Sequence, residues 1–232
     1  VTDANLATAT NTFSLTVNGA VTATQAVAVT TLTVNHAATT FTPVTGGGGS
    51  PPLTYAVSPS LPAGLSFSTT NGAVSGTPTA TATAANYTVT VTDVNNASAS
   101  ATFSLAVNGA VTATQTVAST TLTQNKAVTP FTPVTGSGGT SPLSYGVSPS
   151  LPAGLSFNTT SGAITGTPTA THTASSFTVT VTDANGATGT ANFSLAVNAA
   201  VTATTAVPTT VLTASHAAAT FTPVTGGGGT PP

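Results

Sequence analysis

The sequence repeats itself with a period of 90 residues. Phe13, Phe103 and Phe193 share one sequence context, and each lies 90 residues from the next. The same spacing relates the three acidic residues Asp3, Asp93 and Asp183. A fixed period of this size marks an array of domains. Such arrays provide length or many weak contacts, so we expect an architectural role and no single reaction centre.

The period divides the 232 residues into two complete repeats, 20–109 and 110–199, between two partial ones. Residues 1–19 match the tail of a repeat, and residues 200–232 match its head. Neither contains a counterpart of Leu53–Thr90, so together they do not complete a third repeat. We therefore expect a segment of a longer array, with exchange of strands between subunits as the alternative. A repeat of this length is a usual size for one small domain.

Charge is almost absent from this chain. It has one Lys or Arg and three acidic residues, or 2% charged residues, against about 25% in an ordinary domain. Nucleic acids and anionic membranes are captured by clusters of Lys and Arg, so we expect neither as a partner. No apolar run reaches the roughly 20 residues of a membrane span. Because charge normally keeps protein surfaces apart, we expect copies of this chain to associate.

Cysteine and methionine are both missing from the sequence. The chain therefore has no disulfide framework and no thiolate chemistry. A chain without these oxidisable side chains suits an extracellular or cell-surface setting.

Alternating side chains predict β-strands throughout. Thr and Val are frequent, and β-branched side chains suit a pleated surface. In Phe177–Thr182 the apolar residues alternate with threonine, which is typical of a half-buried antiparallel strand. The turn-forming segment Asp183–Gly186 and a second alternating run, Asn192–Val197, follow. We predict a β-hairpin here, and the preceding repeat has the same pattern at Tyr87–Asp93 and Phe103–Val107.

Further strands are predicted upstream in each repeat. Thr120–Thr123 and Phe131–Val134 are interpreted as an opening pair, and Gly136–Thr140 as a flexible loop. Leu143–Val147 is predicted as a strand that buries Tyr145. Two more short strands follow, in Leu151–Phe157 and Ala163–Pro168. About seven short strands per repeat, separated by Gly and Pro turns and without helical periodicity, predict an all-β sandwich.

Three motifs of each repeat resemble the putative-Ig repeat of large bacterial surface proteins. In the first repeat they are Ser58–Phe67, Gly72–Pro78 and Tyr87–Asp93, and in the second Leu151–Phe157, Gly162–Pro168 and Phe177–Asp183. That family is related to cadherin-like domains of the dystroglycan type. The resemblance implies a tandem array of Ig-like β-sandwich domains of about 90 residues, a secreted or surface location and an adhesive or structural role. It implies no catalytic residues.

Calcium is the first candidate ligand, because cadherin-like relatives of this family can bind Ca²⁺ between domains. Asp93 with Asn95, and Asp183 with Asn185, resemble fragments of such a site. Calcium takes six to eight oxygen ligands, several of them carboxylate, and each repeat offers one carboxylate. We therefore expect no cofactor, with calcium as the weaker alternative, and an Asx turn that closes the hairpin.

The histidines make a weaker case for a metal site. His36, Lys126 and His216 occupy one position of the repeat. Lysine is a poor metal ligand, so a position that accepts it is not a metal site. His172 corresponds to Ala82 in the preceding repeat. We expect all three histidines to lie in solvated loops.

Catalytic and sugar-binding arrangements are also missing. No repeat has the paired carboxylates of a glycosidase or a recognisable nucleophile motif, so we expect no enzyme activity from these residues. The chain has no Trp and 5% aromatic residues, and its aromatic side chains occupy core-like positions in alternating strands.

These observations predict a structural or adhesive extracellular repeat protein that forms a filament or surface fibre by association of its copies. One alternative is an adhesin array that binds a glycan or a surface protein through the loops Gly46–Pro52 and Gly136–Pro142. Another is a non-catalytic spacer of a larger secreted enzyme.

Overall fold

The computed structural model describes residues 1–230, which form strands, turns and bends and no helix. The chain forms two compact units. The first consists of Val1–Thr31 and Ala37–Val107, and the second of Leu32–His36 and the residues from Asn108 onwards. The short segment Leu32–His36 thus belongs to the second unit. The repeat boundaries given above stay predictions.

The strands recur with the period of the sequence. Residues 20–109 contain β1 (Thr22–Gln25), β2 (Val29–Thr33), β3 (Val44–Gly47), β4 (Thr54–Ser58), β5 (Leu65–Phe67), β6 (Val74–Gly76), β7 (Ala82–Thr92) and β8 (Ser98–Asn108). Residues 110–199 contain β9 (Thr112–Gln115), β10 (Ser119–Thr123), β11 (Val134–Ser137), β12 (Ser144–Ser148), β13 (Leu155–Phe157), β14 (Ile164–Gly166), β15 (His172–Thr182) and β16 (Thr188–Asn198). Two further strands are β17 (Thr202–Thr205) and β18 (Val224–Gly227).

Each repeat is an all-β sandwich with the same sheet order. Four strands form one sheet, in the order β2-β8-β7-β4 in the first repeat and β10-β16-β15-β12 in the second. The two-stranded pairs β1-β3 and β5-β6, and their counterparts β9-β11 and β13-β14, complete the fold. The outcome agrees with the all-β, Ig-like architecture expected from the sequence.

The predicted hairpin is confirmed as β15 and β16, which are antiparallel. Phe177, Val179 and Val181 are fully buried, so alternation identified the inward face correctly. Phe177 lies directly opposite Phe193, with ring centroids 5.5 Å apart. Large side chains from both long strands thus fill the centre of the core.

The predicted opening pair is wrong. Thr120–Thr123 lies in β10, which runs parallel to β16 from Ser119 opposite Ser194 to Thr123 opposite Asn198. The partner of β11 is β9, which runs antiparallel to it, and Phe131 forms an isolated antiparallel bridge with Ile164. A run of alternating residues shows which face is buried but not which strand lies beside it. The strand β9 was missed, which explains the expected count of about seven.

The predicted flexible loop Gly136–Thr140 is only partly a loop, because its first two residues belong to β11. Gly136 donates its backbone N–H to the Tyr145 hydroxyl at 3.1 Å. A Cβ at this glycine would lie 2.5 Å from Cγ1 of Val181. The half-buried Tyr145 packs against the core, as predicted.

Two segments carry the sequence pattern of strands without forming them. In residues 9–18, Phe13, Leu15 and Val17 are 87%, 77% and 86% exposed, whereas their counterparts in β8 and β16 are buried. Residues 209–213 correspond to β10 but form no strand, and Val211 is 96% exposed. Both segments therefore present apolar side chains to solvent.

Candidate functional site: the aspartate turns

Asp183 organises the turn between the two long strands. It is the first residue after β15, and its Oδ1 accepts the backbone N–H of Asn185 at 2.9 Å and of Ala187 at 2.8 Å. The backbone of Gly186 in turn donates to the Asp183 carbonyl at 3.1 Å. This is the predicted Asx turn, in which a short acidic side chain replaces a backbone acceptor.

The second carboxylate oxygen of Asp183 binds residues from outside the hairpin. Oδ2 accepts the backbone N–H of Thr140 at 2.9 Å and the hydroxyl of Thr33 at 2.6 Å. Thr33 is 1% exposed and Asp183 is 5% exposed. A charged acceptor shielded from water makes stronger hydrogen bonds than a neutral one, so Asp183 anchors Thr33 within the second unit.

Side-chain amides extend this arrangement into a network. Nδ2 of Asn185 donates to the hydroxyls of Thr33 at 2.9 Å and Thr140 at 3.0 Å. Nδ2 of Asn108 donates to the Thr140 hydroxyl at 3.2 Å. The Thr33 hydroxyl thus contacts the side chains of Asp183, Asn185 and Thr140.

Asp93 forms the same turn in the first unit. Its Oδ1 accepts the N–H of Asn95 at 3.0 Å and of Ala97 at 2.8 Å, and its Oδ2 accepts the N–H of Ser50 at 2.9 Å. Nδ2 groups of Asn95 and Asn18 both donate to the Ser50 hydroxyl at 3.0 Å. Each partner of Asp183 has its counterpart here except the threonine hydroxyl.

Hydrogen bonds lower the pKa of both carboxyl groups. Burial alone would raise the pKa of Asp183, but the bonds from the Thr33 hydroxyl and from three backbone N–H groups outweigh it, so this pKa lies below the ordinary 3.8. The N–H of Ser50 is the main cause of the lowered pKa of Asp93, and burial opposes it. Both residues are therefore ionised near neutral pH.

The lowered pKa values predict a loss of stability in acid. A carboxyl group whose pKa is lower in the folded state stabilises the fold fully above its unfolded pKa, near 3.9, and this contribution disappears as the pH falls through the folded pKa. We expect a constant free energy of unfolding from pH 7 to about pH 5 and a decrease below about pH 4, measured by urea denaturation.

Asp183→Asn should weaken this pH dependence and destabilise the fold by roughly 1–3 kcal/mol at neutral pH, since its partners lose a charged acceptor. Asp3→Asn is the matched control. Asp3 makes the same two turn hydrogen bonds but lies in an exposed segment without named strands. An unchanged acid profile in Asp183→Asn would contradict the role given to this carboxylate.

Comparison with known families identifies the repeat. The sequence model described as Putative Ig domain matches residues 16–108 and again residues 110–198. The chain belongs to the Putative Ig domain family. Its two matches lie in tandem, so the chain is an array of Ig-like domains, an architecture that suits a structural or adhesive role. Ig-like domains are typically non-catalytic.

The chain also aligns with solved structures of other proteins, among them fragments of titin and of a mouse clustered Pcdh protein. The titin I-band fragment I67-I69 aligns with 14% identity and a TM-score of 0.48 over 77% of this chain and 66% of the fragment. Mouse clustered PcdhgC3 EC1-3 aligns with 15% identity and a TM-score of 0.34 over 76% of this chain and 68% of that one. No curated protein sequence matches the chain.

The aspartate turns of these Putative Ig domains do not match the donor set that calcium requires. Both oxygens of Asp183 already accept N–H or O–H donors, and the Asn185 amide presents its Nδ2 to the two threonines. Calcium needs six to eight oxygen ligands. The candidates Asp93, Asn95, Asp183 and Asn185 therefore form two hydrogen-bonded turns, each with one carboxylate. Within residues 1–230 no three His, Cys, Asp or Glu residues form a group that could hold a metal ion.

The histidine prediction is wrong for His172. This residue lies in β15 and is half-buried; its ring is 5.9 Å from that of Phe177, and its Nε2 lies 2.8 Å from the Ser175 hydroxyl. It lies where the register of β15 against β16 shifts. His36 is half-buried beside Gly186, whereas Lys126 and His216 are exposed.

Among the described residues, no helix is long and apolar enough to cross a membrane.

Thr33 and Thr140 belong to the site but were not predicted from the sequence. Threonine is so frequent in these Ig-like repeats that no single one stands out. A signal was nevertheless present. Thr33, Thr123 and Thr213 recur at 90-residue spacing, and each is followed by the same turn, in which residue 36, 126 or 216 donates its N–H to the threonine carbonyl. A threonine and an aspartate that recur with one period are candidates for partners in one hydrogen-bonded site.

Proposed function

We propose that this chain is a structural segment of an extracellular or cell-surface filament. The observation that supports this most is the repetition of one core at the same positions. The stacked pair Phe177 and Phe193 of the second repeat corresponds to Tyr87 and Phe103 of the first, and both pairs have a centroid distance of 5.5 Å. Two domains that repeat one core favour a role in which each domain adds length.

The surface chemistry supports association of copies. Along β7 and β15 the residues that alternate with the buried ones are threonines. A sheet face of this kind carries hydroxyl and methyl groups and no charge. Such a face has no like charges that would repel a second copy. It can therefore pack against further copies. The proposed filament would therefore assemble through neutral contacts and without bound metal.

The alternative role as a glycan- or protein-binding array has less support. Each candidate loop is held to the fold by a hydrogen bond. The backbone N–H of Ser50 donates to Asp93, and that of Thr140 donates to Asp183. The spacer of a secreted enzyme would need a catalytic domain elsewhere, and these residues provide no argument for one.

Electron microscopy of the native material tests the proposed function. A filament of uniform width is expected, with an axial repeat of about 35–45 Å per domain, since strands rise about 3.3 Å per residue. Its form should be unchanged by EDTA and weakly dependent on salt. A thin, flexible string of separate beads would contradict the filament and indicate a stalk.

A further inference from the structure

Three asparagines of the complete repeats are followed directly by glycine. The pairs are Asn71–Gly72, Asn108–Gly109 and Asn185–Gly186, and a fourth pair, Asn18–Gly19, lies in the partial repeat 1–19. Asparagine is a chemically labile residue. Its side-chain amide can be attacked by the backbone nitrogen of the next residue, and glycine hinders this attack least because it has no Cβ. Since the three pairs have the same residues, their surroundings in the fold decide which of them reacts.

The fold protects two of the three pairs. Gly72 is buried, and its N–H donates to the Ser68 carbonyl at 2.9 Å. In the other pair, Gly186 donates its N–H to the Asp183 carbonyl at 3.1 Å, and Nδ2 of Asn185 donates to two threonine hydroxyls. In both turns the attacking nitrogen is already engaged, so a hydrogen bond must break before it can react.

The pair Asn108–Gly109 lacks this protection. Asn108 is the last residue of β8, and within residues 1–230 the N–H of Gly109 donates to no other residue. A Cβ built on Gly109 would have no heavy atom within 4 Å beyond its chain neighbours, so the space beside its nitrogen is open. In the described part of the chain, the side-chain amide of Asn108 makes one hydrogen bond, from Nδ2 to the Thr140 hydroxyl at 3.2 Å. Its Cγ can therefore turn towards the Gly109 nitrogen.

We propose that Asn108 is a modification site that deamidates spontaneously in the folded chain. The Gly109 nitrogen bonds to Cγ of Asn108 and gives up its proton, and the Cγ–Nδ2 bond breaks, so that ammonia leaves with that proton. Such a step is fast when the fold leaves the two reacting groups side by side. Water then adds to the resulting succinimide and opens it at either carbonyl group. One opening gives aspartate, and the other gives isoaspartate, whose main chain is longer by a methylene group.

The reaction alters the site around Asp183. Nδ2 of Asn108 donates to the Thr140 hydroxyl, and the N–H of Thr140 donates to Oδ2 of Asp183. A carboxylate at position 108 has no N–H to donate, and only Thr140 separates it from the ionised Asp183, so the two like charges repel each other. The isoaspartate form also lengthens the chain where the Asn108 carbonyl accepts the N–H of Val34 at 2.9 Å. Deamidation should therefore destabilise the second unit, whether or not the chain forms a filament.

Peptide mapping by mass spectrometry, after incubation of the purified chain at neutral pH, tests the site. Asn108 should lose its amide at least roughly tenfold faster than Asn71 or Asn185, whose turn hydrogen bonds must break first. In urea the three pairs should react at similar rates. Gly109→Ala is the matched control, because its Cβ has space and the corresponding residue of the next repeat is Ala199. It should slow the reaction of Asn108 by roughly tenfold or more.

Three results would overturn the proposed site. The first is an equal rate for the three pairs in the folded chain. The second is an Asn108 that reacts only in urea, and the third is a Gly109→Ala chain that reacts as fast as wild type.

Urea denaturation of Asn108→Asp tests the consequence for the fold. This variant carries the new carboxylate from the start and should unfold at a lower urea concentration than wild type. Asn71→Asp is the matched control. Asn71 is exposed, and a carboxylate there can still accept the N–H of Ala73 that Oδ1 accepts now, so this variant should unfold like wild type. An Asn108→Asp chain that is as stable as Asn71→Asp would contradict the effect on the Asp183 site.

Discussion

Replacing Phe193 by alanine is expected to lower the free energy of unfolding by about 3–5 kcal/mol, the usual cost of truncating a buried phenylalanine. Phe193 is 1% exposed and stacks on Phe177 across the central strand pair. The substitution removes the ring and leaves a cavity that the two long strands cannot close without shifting. Because a small domain has only about 5–15 kcal/mol of stability in total, the second repeat should be largely unfolded at moderate urea.

Phe13→Ala provides the matched control for this substitution. Phe13 occupies the same repeat position as Phe193 but is 87% exposed. In dilute solution its removal should change the unfolding free energy by less than about 0.5 kcal/mol, as for other surface sites. Urea denaturation followed by circular dichroism measures both. Equal effects of the two substitutions would contradict the burial of Phe193 and the exposure of Phe13.

Gly154→Ala is the second substitution with a large expected effect, upwards of about 2 kcal/mol. Gly154 has a φ of +88°, which alanine adopts with strain. An added Cβ would also lie 2.0 Å from the carbonyl oxygen of Thr167. That oxygen belongs to the backbone, and Thr167 also donates its N–H to the Gly154 carbonyl at 2.9 Å. The clash can therefore be relieved only by breaking the contact that joins the ends of β13 and β14.

The control for Gly154 is another glycine of the same repeat. Gly146 lies in β12, has no heavy atom within 4 Å of an added Cβ, and corresponds to Ala56 in the first repeat. Gly146→Ala should be neutral or stabilise by up to about 1 kcal/mol, because the unfolded chain loses freedom. Thermal unfolding of the two variants side by side measures the difference. A Gly154→Ala variant that melts like Gly146→Ala would refute the close approach described for this turn.

Local sequence patterns predicted the fold best where the paired strands are close to each other in the sequence. The alternation in Phe177–Thr182 and the turn at Asp183–Gly186 together specify a hairpin, because its two strands are neighbours in the chain. The pairing of β10 with β16 connects residues as far apart as Ser119 and Ser194. No local pattern encodes that choice, since one inward-facing row of apolar residues fits several partners.

In the candidate site, too, only the contacts between residues close in sequence could be predicted. The Asx turn at Asp183 was predictable, because its donors Asn185 and Ala187 lie within four residues. The contact with Thr33 was not, because 150 residues separate the two side chains. The position of His172 was also unpredictable from the chain, since it depends on a local shift of register against β16. In each case packing between distant segments decided the outcome.

The parallel pairing of β10 with β16 also determines how the second repeat bears a load. β10 lies near the start of the repeat and β16 at its end. Tension on the chain before β10 and after β16 therefore pulls the two strands lengthwise past each other. All five residue pairs from Ser119–Ser194 to Thr123–Asn198 resist this shear at once. An antiparallel hairpin pulled at its open end would instead release its bonds one by one, like a zip.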